Sequence, residues 1–201
     1  MGRTPSQCRQ CRREREKLFL KGTRCLTAKC SVERRKYPPG QHGAATTRLT
    51  EYGRRLREKQ KARAIYGLTE RQFRSYFEKA AKKAGVTGEK LLELLERRID
   101  NVVFRLGYAE SRPAARQIAR HGNVIVNGKK VNIPSYQVKL NDIVSVKPYI
   151  LDAAREKLKD YTPPAWLSLD PDLNGKVVSI PSAEDVEKLI QVSLIVEHYS
   201  R

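Results

Sequence analysis

Ser111-Arg112-Pro113-Ala114-Ala115-Arg116-Gln117-Ile118-Ala119-Arg120-His121-Gly122-Asn123-Val124-Ile125-Val126-Asn127-Gly128-Lys129-Lys130-Val131 is a helix followed by a hairpin. Ser111 is a capping residue, and Pro113 fits the first helical turn, where its missing N–H costs nothing. Arg112, Arg116 and Arg120 stand four apart and share one helix face, so the sequence predicts that they emerge together. Gly122 stops the helix. Val124-Ile125-Val126 is short and β-branched, as a strand prefers. Asn127-Gly128 is the strongest two-residue hairpin signal, and Lys129-Lys130-Val131 begins the return strand, which Pro134 limits.

The pattern extends on both sides. Upstream, Thr87-Gly88 opens a helix whose apolar positions Leu91, Leu92, Leu95, Ile99, Val102, Val103 and Leu106 predict one continuous helix up to Gly107. Before it, Thr69-x-x-Gln72 is a capping box for a helix with Phe73, Tyr76, Phe77, Ala80, Ala81 and Ala84 on one stripe. Residues 51–66 form a further helix, with a sparse stripe of Tyr52, Leu56 and Ile65 and six cations: Arg54, Arg55, Arg57, Lys59, Lys61 and Arg63. Downstream, Asn141-Asp142 turns into the strand Ile143–Val146. Leu151, Ala154 and Leu158 suggest a short helix, Lys176–Ile180 a last strand, and Leu189–Val196 a closing helix. Two helices followed by a small sheet, flanked by helical segments, make an α+β protein.

Composition narrows the partner. The chain has 201 residues, 41 Lys+Arg against 22 Asp+Glu, and a net charge of +19. The charge is uneven: +10 over 1–50, +6 over 51–100, +6 over 101–150 and −3 over 151–201. A polyanion is therefore the expected partner, met by the first three quarters, while the last quarter packs on protein or faces solvent. No stretch approaches the ~18 apolar residues of a membrane span, so no membrane role is expected. The opening Met1-Gly2-Arg3-Thr4-Pro5 has no apolar signal region, and the cytosol is the default compartment.

Residues 1–48 read as an irregular arm. Tyr37-Pro38-Pro39-Gly40-Gln41-His42-Gly43 cannot be helical, and 26–48 read as loop. The arm holds all four cysteines, Cys8, Cys11, Cys25 and Cys30, as C-x2-C-x13-C-x4-C. Thiolate pairs at x2 and x4 spacing can close a tetrahedral site. The cations Arg9, Arg12, Arg13, Arg24 and Lys29 favour thiolate, and metal gives a coreless arm a reason to fold. One structural Zn2+ is the expected occupant. An iron–sulfur cluster, disulfides or free thiols are the alternatives, disulfides being disfavoured in a reducing cytosol.

Several segments in this order resemble the bacterial small-subunit ribosomal protein S4 family over essentially the whole chain. They include Arg35-Lys36-Tyr37-Pro38-Pro39-Gly40-Gln41-His42-Gly43, Leu56-Arg57-Glu58-Lys59-Gln60-Lys61, Ile65-Tyr66-Gly67 and Glu70-Arg71-Gln72-Phe73. Further on stand Asp100-Asn101-Val102-Val103-Phe104-Arg105-Leu106-Gly107, Ala115-Arg116-Gln117, His121-Gly122, Val126-Asn127-Gly128-Lys129 and Ile133-Pro134-Ser135-Tyr136. The match ends with Trp166-Leu167-Ser168-Leu169-Asp170 and Tyr199-Ser200-Arg201. The cysteines match the family's zinc-binding branch, and 182–192 follow the pattern least well.

The resemblance implies a zinc-binding arm (1–48), a helical domain (49–96, closed by 176–201) and an inserted S4-type RNA-binding domain (97–175), two helices on a small, mostly antiparallel sheet. It implies a structural component of the small ribosomal subunit that binds a junction in the 5′ domain of 16S rRNA and nucleates assembly of the subunit body. Contact with ribosomal protein S5 at an interface affecting decoding accuracy, and a place along the mRNA entry channel, follow from it too; some members repress their own operon. No homo-oligomer is expected. Structured RNA is read through shape, phosphate and 2′-OH, the task of forked Arg and flexible Lys. The candidate RNA-binding residues are Arg12, Arg13, Arg35, Lys36, Gln41, His42 and Arg48 in the arm. Next come Arg54, Arg55, Arg57, Lys59, Lys61, Arg63, Arg71 and Arg74, then Arg112, Arg116, Arg120, His121, Asn127, Lys129 and Lys130. Tyr52 and Tyr66 fit either core packing or base stacking.

Rival readings find less support. Arg98-Ile99-Asp100 is similar to a pseudouridine-synthase motif, but Asp100 sits in a helical pattern where pairing with Arg97 or another nearby Arg is expected. No catalytic domain, Gly-rich phosphate loop or nucleophile–His pairing accompanies it, so no enzyme is expected. A zinc-finger DNA regulator would need a recognition helix beside the cysteines.

Overall fold

A computed structural model describes residues 6–45, 48–159, 161–182 and 189–200. Part of the expected closing segment, 183–188, and Arg201 lie outside them. The described elements are α1 (Gln7–Glu14), a 3-10 turn (Gly22–Leu26), α2 (Ser31–Arg34), α3 (Glu51–Ile65), α4 (Glu70–Ala81), α5 (Thr87–Glu96), α6 (Ile99–Arg105) and α7 (Arg112–Arg120). They continue with β1 (Val124–Val126), β2 (Lys129–Val131), β3 (Ile143–Val146), α8 (Pro148–Leu158), β4 (Leu167–Leu169), β5 (Gly175–Val177) and α9 (Val192–Tyr199). The chain forms two compact units, Met1–Phe73 with Leu189–Arg201, and Arg74–Lys188.

In the second unit the five strands run β2-β1-β3-β5-β4, each pair antiparallel. Val124 and Val126 of β1, Val144 and Val146 of β3 and Val177 of β5 face one side, where period-2 alternation puts them. Against them pack Ile99, Val102, Val103 and Leu106 of α6 and Ala115 and Ala119 of α7, with the wholly buried Trp166 in the same cluster. The alanines let α7 approach closely. Asn127 (φ 49°) and Gly128 (φ 78°) both lie in the left-handed region, the paired geometry of a type I′ hairpin.

In the first unit α9 packs along α3, and α1 touches the same helix. The buried apolar residues are fewer here: Leu18, Leu20, Ala62, Ile65, Tyr66, Leu68, Phe73, Ile190 and Ile195. Of the expected α3 stripe only Ile65 is buried. Tyr52 is 62% exposed and lies 5.6 Å from the His198 ring of α9.

Four expectations need correction. The arm is not irregular throughout: α1 carries Cys8 and Cys11, and α2 occupies part of 26–48. The helix expected over 87–107 is broken, because Arg98 is extended (φ −68°, ψ 136°) and bridges Gln137. The Ile99 N–H donates to the Tyr136 carbonyl at 2.9 Å and the Val138 N–H to that of Arg97 at 3.0 Å; backbone pairing with a segment some forty residues on outcompetes helix continuation. The strand expected over 176–180 is β5, over 175–177. Leu167–Leu169, to which the sequence reading assigns no element, is its partner β4.

Candidate nucleic-acid interface

Thr50 caps α3, accepting from the Gly53 N–H at 3.1 Å, and α4 begins on the predicted reciprocal box: the Thr69 hydroxyl accepts from the Gln72 N–H and the Gln72 side chain from the Thr69 N–H. These two starts fix which α3 cations turn inward. Lys59 and Lys61 are buried. The Lys59 ammonium donates to Glu70 at 2.6 Å, and Lys61 meets Glu16 at 3.2 Å and Glu58 at 3.0 Å. Arg57 donates to Glu14 at 3.1 Å, Arg63 to Glu70 at 3.4 Å, and Arg55 pairs with Glu197 at 2.8 Å and Glu51 at 3.4 Å. Carboxylates from α1, α4 and α9 thus converge on α3. Burial pushes the Glu70 carboxyl up, but hydrogen bonds from Lys59 and Tyr199 and the charge of Arg63 outweigh it and hold it below the usual range. At Glu14 burial outweighs Arg57, and its carboxyl is pushed up. Arg54 stays exposed and joins none of these pairs.

In α7, the Ser111 hydroxyl accepts from the Ala114 N–H, as its capping role predicts. The arginine face does not emerge as a triplet. Arg112 is buried, its Nε donating to Asn101 at 2.8 Å and its guanidinium 4.6 Å from the Phe104 ring centroid. Arg116 donates twice to Asp100, at 2.9 and 2.6 Å. Asp100 also holds Arg98 in a two-pronged pair at 3.0 and 2.8 Å, so its partners are Arg98 and Arg116, not Arg97. Arg97 turns instead to Glu93 and the Val138 carbonyl. The wholly buried Glu96 accepts both prongs of Arg105 and the Asn101 amide. Helical spacing set the direction of Arg112 and Arg116; the acidic and amide residues of α6 opposite them decided that they point inward.

Arg120, His121, Lys129 and Lys130 remain exposed at the end of α7 and on β2. Asn127 braces the hairpin: its amide donates to Asp142 at 2.8 Å, and its oxygen accepts from the Ile143 N–H at 2.9 Å.

In the arm, Arg12 donates to the Tyr37 and Pro38 carbonyls at 3.0 and 3.3 Å and stacks 5.0 Å from the Tyr37 ring centroid. It therefore ties the Pro-Pro-Gly segment to α1. Arg13, Arg35, Lys36, Gln41, His42 and Arg48 are exposed, as is Arg71. Arg74 is exposed too and pairs with Glu78 at 3.0 Å. The supporting carboxylates and amides Glu58, Glu70, Glu96 and Asn101 lie outside the sequence-predicted set; their signal is acid placed three to eleven residues from a cation, which marks a pair but not its burial.

The four cysteines are free thiols and line one small cavity. Burial pushes the Cys11 thiol up, and the three other cysteines add to this through their charge. Among the described residues no group of three or more His, Cys, Asp or Glu is spaced as a metal centre. Four thiols lining one cavity are a donor set that suits a thiophilic ion.

Comparison with known proteins places the chain. Residues 3–96 match the ribosomal protein S4/S9 N-terminal domain, and residues 97–144 match the S4 domain. The chain is 56% identical over 202 residues to the small ribosomal subunit protein uS4 of Dictyoglomus turgidum, with 98% of each covered. It is 52% identical over 204 residues to that of Pelotomaculum thermopropionicum, 98% of each covered. For that of Halothermothrix orenii the figure is 54% over 200 residues, 96% of each covered.

Proposed function

This chain belongs to the uS4 family of small ribosomal subunit proteins, and from that premise we infer how its cations are divided between scaffold and RNA. It is a structural constituent of the small ribosomal subunit in the cytoplasmic ribosome, a 16S rRNA-binding protein and not an enzyme.

The observation that carries the finer reading is the sorting of the cations. Arg12, Arg55, Arg57, Lys59, Lys61, Arg63, Arg112 and Arg116 are held by partners within the chain, and they shape the scaffold. Arg13, Arg35, Lys36, Arg48, Arg54 and Arg71 in the first unit, and Arg120, His121, Lys129 and Lys130 in the second, are exposed. These bind phosphate and 2′-OH of folded RNA, with Gln41 and His42 adding polar contacts. Because A-form RNA hides its base edges in a deep groove, such a surface reads shape. The site on the RNA is a junction of the 16S 5′ domain, bound early in assembly of the subunit body. Ribosomal protein S5 and mRNA at the entry channel are its further neighbours.

Cys8, Cys11, Cys25 and Cys30 hold one structural Zn2+, with an iron–sulfur cluster as the alternative the same donors allow. When bound, the ion supplies a cross-link for an arm with little apolar core. The test is crosslinking and hydroxyl-radical footprinting of the chain on 16S rRNA, with metal analysis of the same sample. Contacts at the exposed set and stoichiometric zinc are expected. Crosslinks concentrated at Lys59 or Arg112 would overturn the division, and a metal-free sample with an intact arm would overturn the zinc.

A further inference from the structure

At the junction of α7 and the hairpin, Gly122 has φ +66° and is buried. A Cβ built there would stand 2.2 Å from Lys130 Cε and 3.0 Å from its Nζ. The Lys130 stem therefore lies across the bare backbone of Gly122. This backbone is the last turn of α7: the His121 N–H donates to Gln117 at 3.0 Å, that of Gly122 to Ala119 at 2.9 Å and that of Asn123 to Ile118 at 3.2 Å. A helix C-terminus carries partial negative charge and favours a cation. Lys130 belongs to β2, opposite Ile125 in the register, yet its ammonium is drawn to the helix end where Arg120 and His121 are exposed.

We propose that Gly122 is a positioning residue for RNA binding: its missing side chain is the seat on which Lys130 lies, and this gathers the hairpin ammonium with Arg120 and His121 at one phosphate-binding corner. A lysine side chain gives up rotamer entropy when it is fixed, so an ammonium seated in advance loses less on meeting a phosphate. The proposal rests on the reading that this corner meets RNA.

Two demands on position 122 can be separated. The left-handed φ alone could be met by asparagine, which tolerates that region. The contact with Lys130 could not, since any Cβ displaces the stem. Gly122→Asn, Lys130→Ala and the double variant are compared as full chains on 16S rRNA, with affinity measured against salt. Lys130→Ala is expected to lower the magnitude of the salt slope by about 0.9, the loss of one phosphate contact. Gly122→Asn keeps the cation but loses its placement, so it should lower affinity several-fold at fixed salt, and the double variant should bind no more weakly than Lys130→Ala alone. An unchanged slope for Lys130→Ala overturns the RNA contact itself. A lowered slope for Lys130→Ala with a wild-type affinity for Gly122→Asn, or a Gly122→Asn effect that persists in the Lys130→Ala background, overturns the seat alone. Should Gly122→Asn fail to fold, NMR on the wild-type chain decides: a nuclear Overhauser contact between the Lys130 ε-methylene and the Gly122 α-protons is expected, and its absence overturns the seat.

Discussion

Helices α3 and α7 are both strongly basic, and in both most of the cations face inward, yet they are held by different physics. Around α3 the partners are carboxylates from three other elements, and several of them stay half-open to water: Glu70, Glu16 and Glu197 have side chains 43%, 45% and 51% exposed. Around α7 the partners come from α6, and Asp100 is 6% exposed as a side chain; the same two helices contribute to an apolar cluster that includes Trp166. The first helix is therefore positioned largely by charge. The second is positioned by apolar packing, and buried charge fixes its rotation. The first arrangement should respond to pH and salt; the second should ignore moderate salt and fail when one group is removed.

The largest expected effect follows from the dry site. Asp100→Ala leaves the guanidinium of Arg98, itself 3% exposed, without its two-pronged acceptor, and removes the carboxylate that Arg116 donates to. Breaking a buried pair from one side costs about 3–5 kcal/mol. Urea unfolding followed by Trp166 fluorescence should show a loss of that size in the second unit. A loss under about 1 kcal/mol would mean that water reaches the pair, and the contrast with α3 would fall.

A smaller loss is expected in the first unit. Lys59→Ala removes the ammonium from Glu70 and should cost about 1.5–3 kcal/mol, as for a hydrogen bond to a charged group. The pH dependence has a definite sign. The Glu70 carboxyl lies below its ordinary value of 4.5 in the folded chain, so its stabilisation is complete above that value and is lost as pH falls through the folded one. Chemical denaturation between pH 6 and pH 3 should show wild type losing stability faster than Glu70→Gln. Parallel curves would remove charge as what positions α3.

These differences show what a sequence can and cannot disclose. The Thr69–Gln72 box, the Ser111 cap and the Asn127-Gly128 turn were legible because each is closed by residues at most three apart. The break at Arg97–Arg98 was not, because its hydrogen bonds go to 136 and 138 and no local residue forbids a helix there. The candidate interface was half legible. Spacing four apart put Arg112, Arg116 and Arg120 on one face, but Asp100 and Asn101, which turn two of them inward, become their neighbours only when α6 packs on α7. The same holds for Lys59 and Lys61, whose partners Glu70 and Glu16 come from other elements.

Exposed cations should affect binding and leave stability alone. Arg120→Ala and Lys129→Ala are each expected to change unfolding free energy by less than about 0.5 kcal/mol while lowering 16S rRNA affinity several-fold and the salt slope by about 0.9 per contact. With some eight contacts in the whole interface, affinity should fall roughly 10³–10⁵-fold between 50 and 200 mM salt. A salt-insensitive complex would sink the electrostatic account. Arg112→Ala is the counterpart: it should lower stability and leave the slope as it was, since a guanidinium stacked on Phe104 meets no phosphate.

Arg74 gives the smallest effect and the sharpest distinction, because it is paired and exposed at once. Its bond to Glu78 spans four residues on α4, and the two side chains are 70% and 57% exposed. A solvated pair of this kind is worth only about 0.3–0.5 kcal/mol, less than the attraction of a phosphate that releases a condensed counterion. If exposure rather than pairing decides which cations serve RNA, Arg74 leaves Glu78 on binding, and Arg74→Ala reduces the salt slope while barely moving the unfolding midpoint. Glu78→Gln should then strengthen binding slightly, because one competing carboxylate is gone. If instead neither variant alters the slope, a pair suffices to withhold a cation even in water, and the division between scaffold and RNA residues has to be drawn by pairing alone.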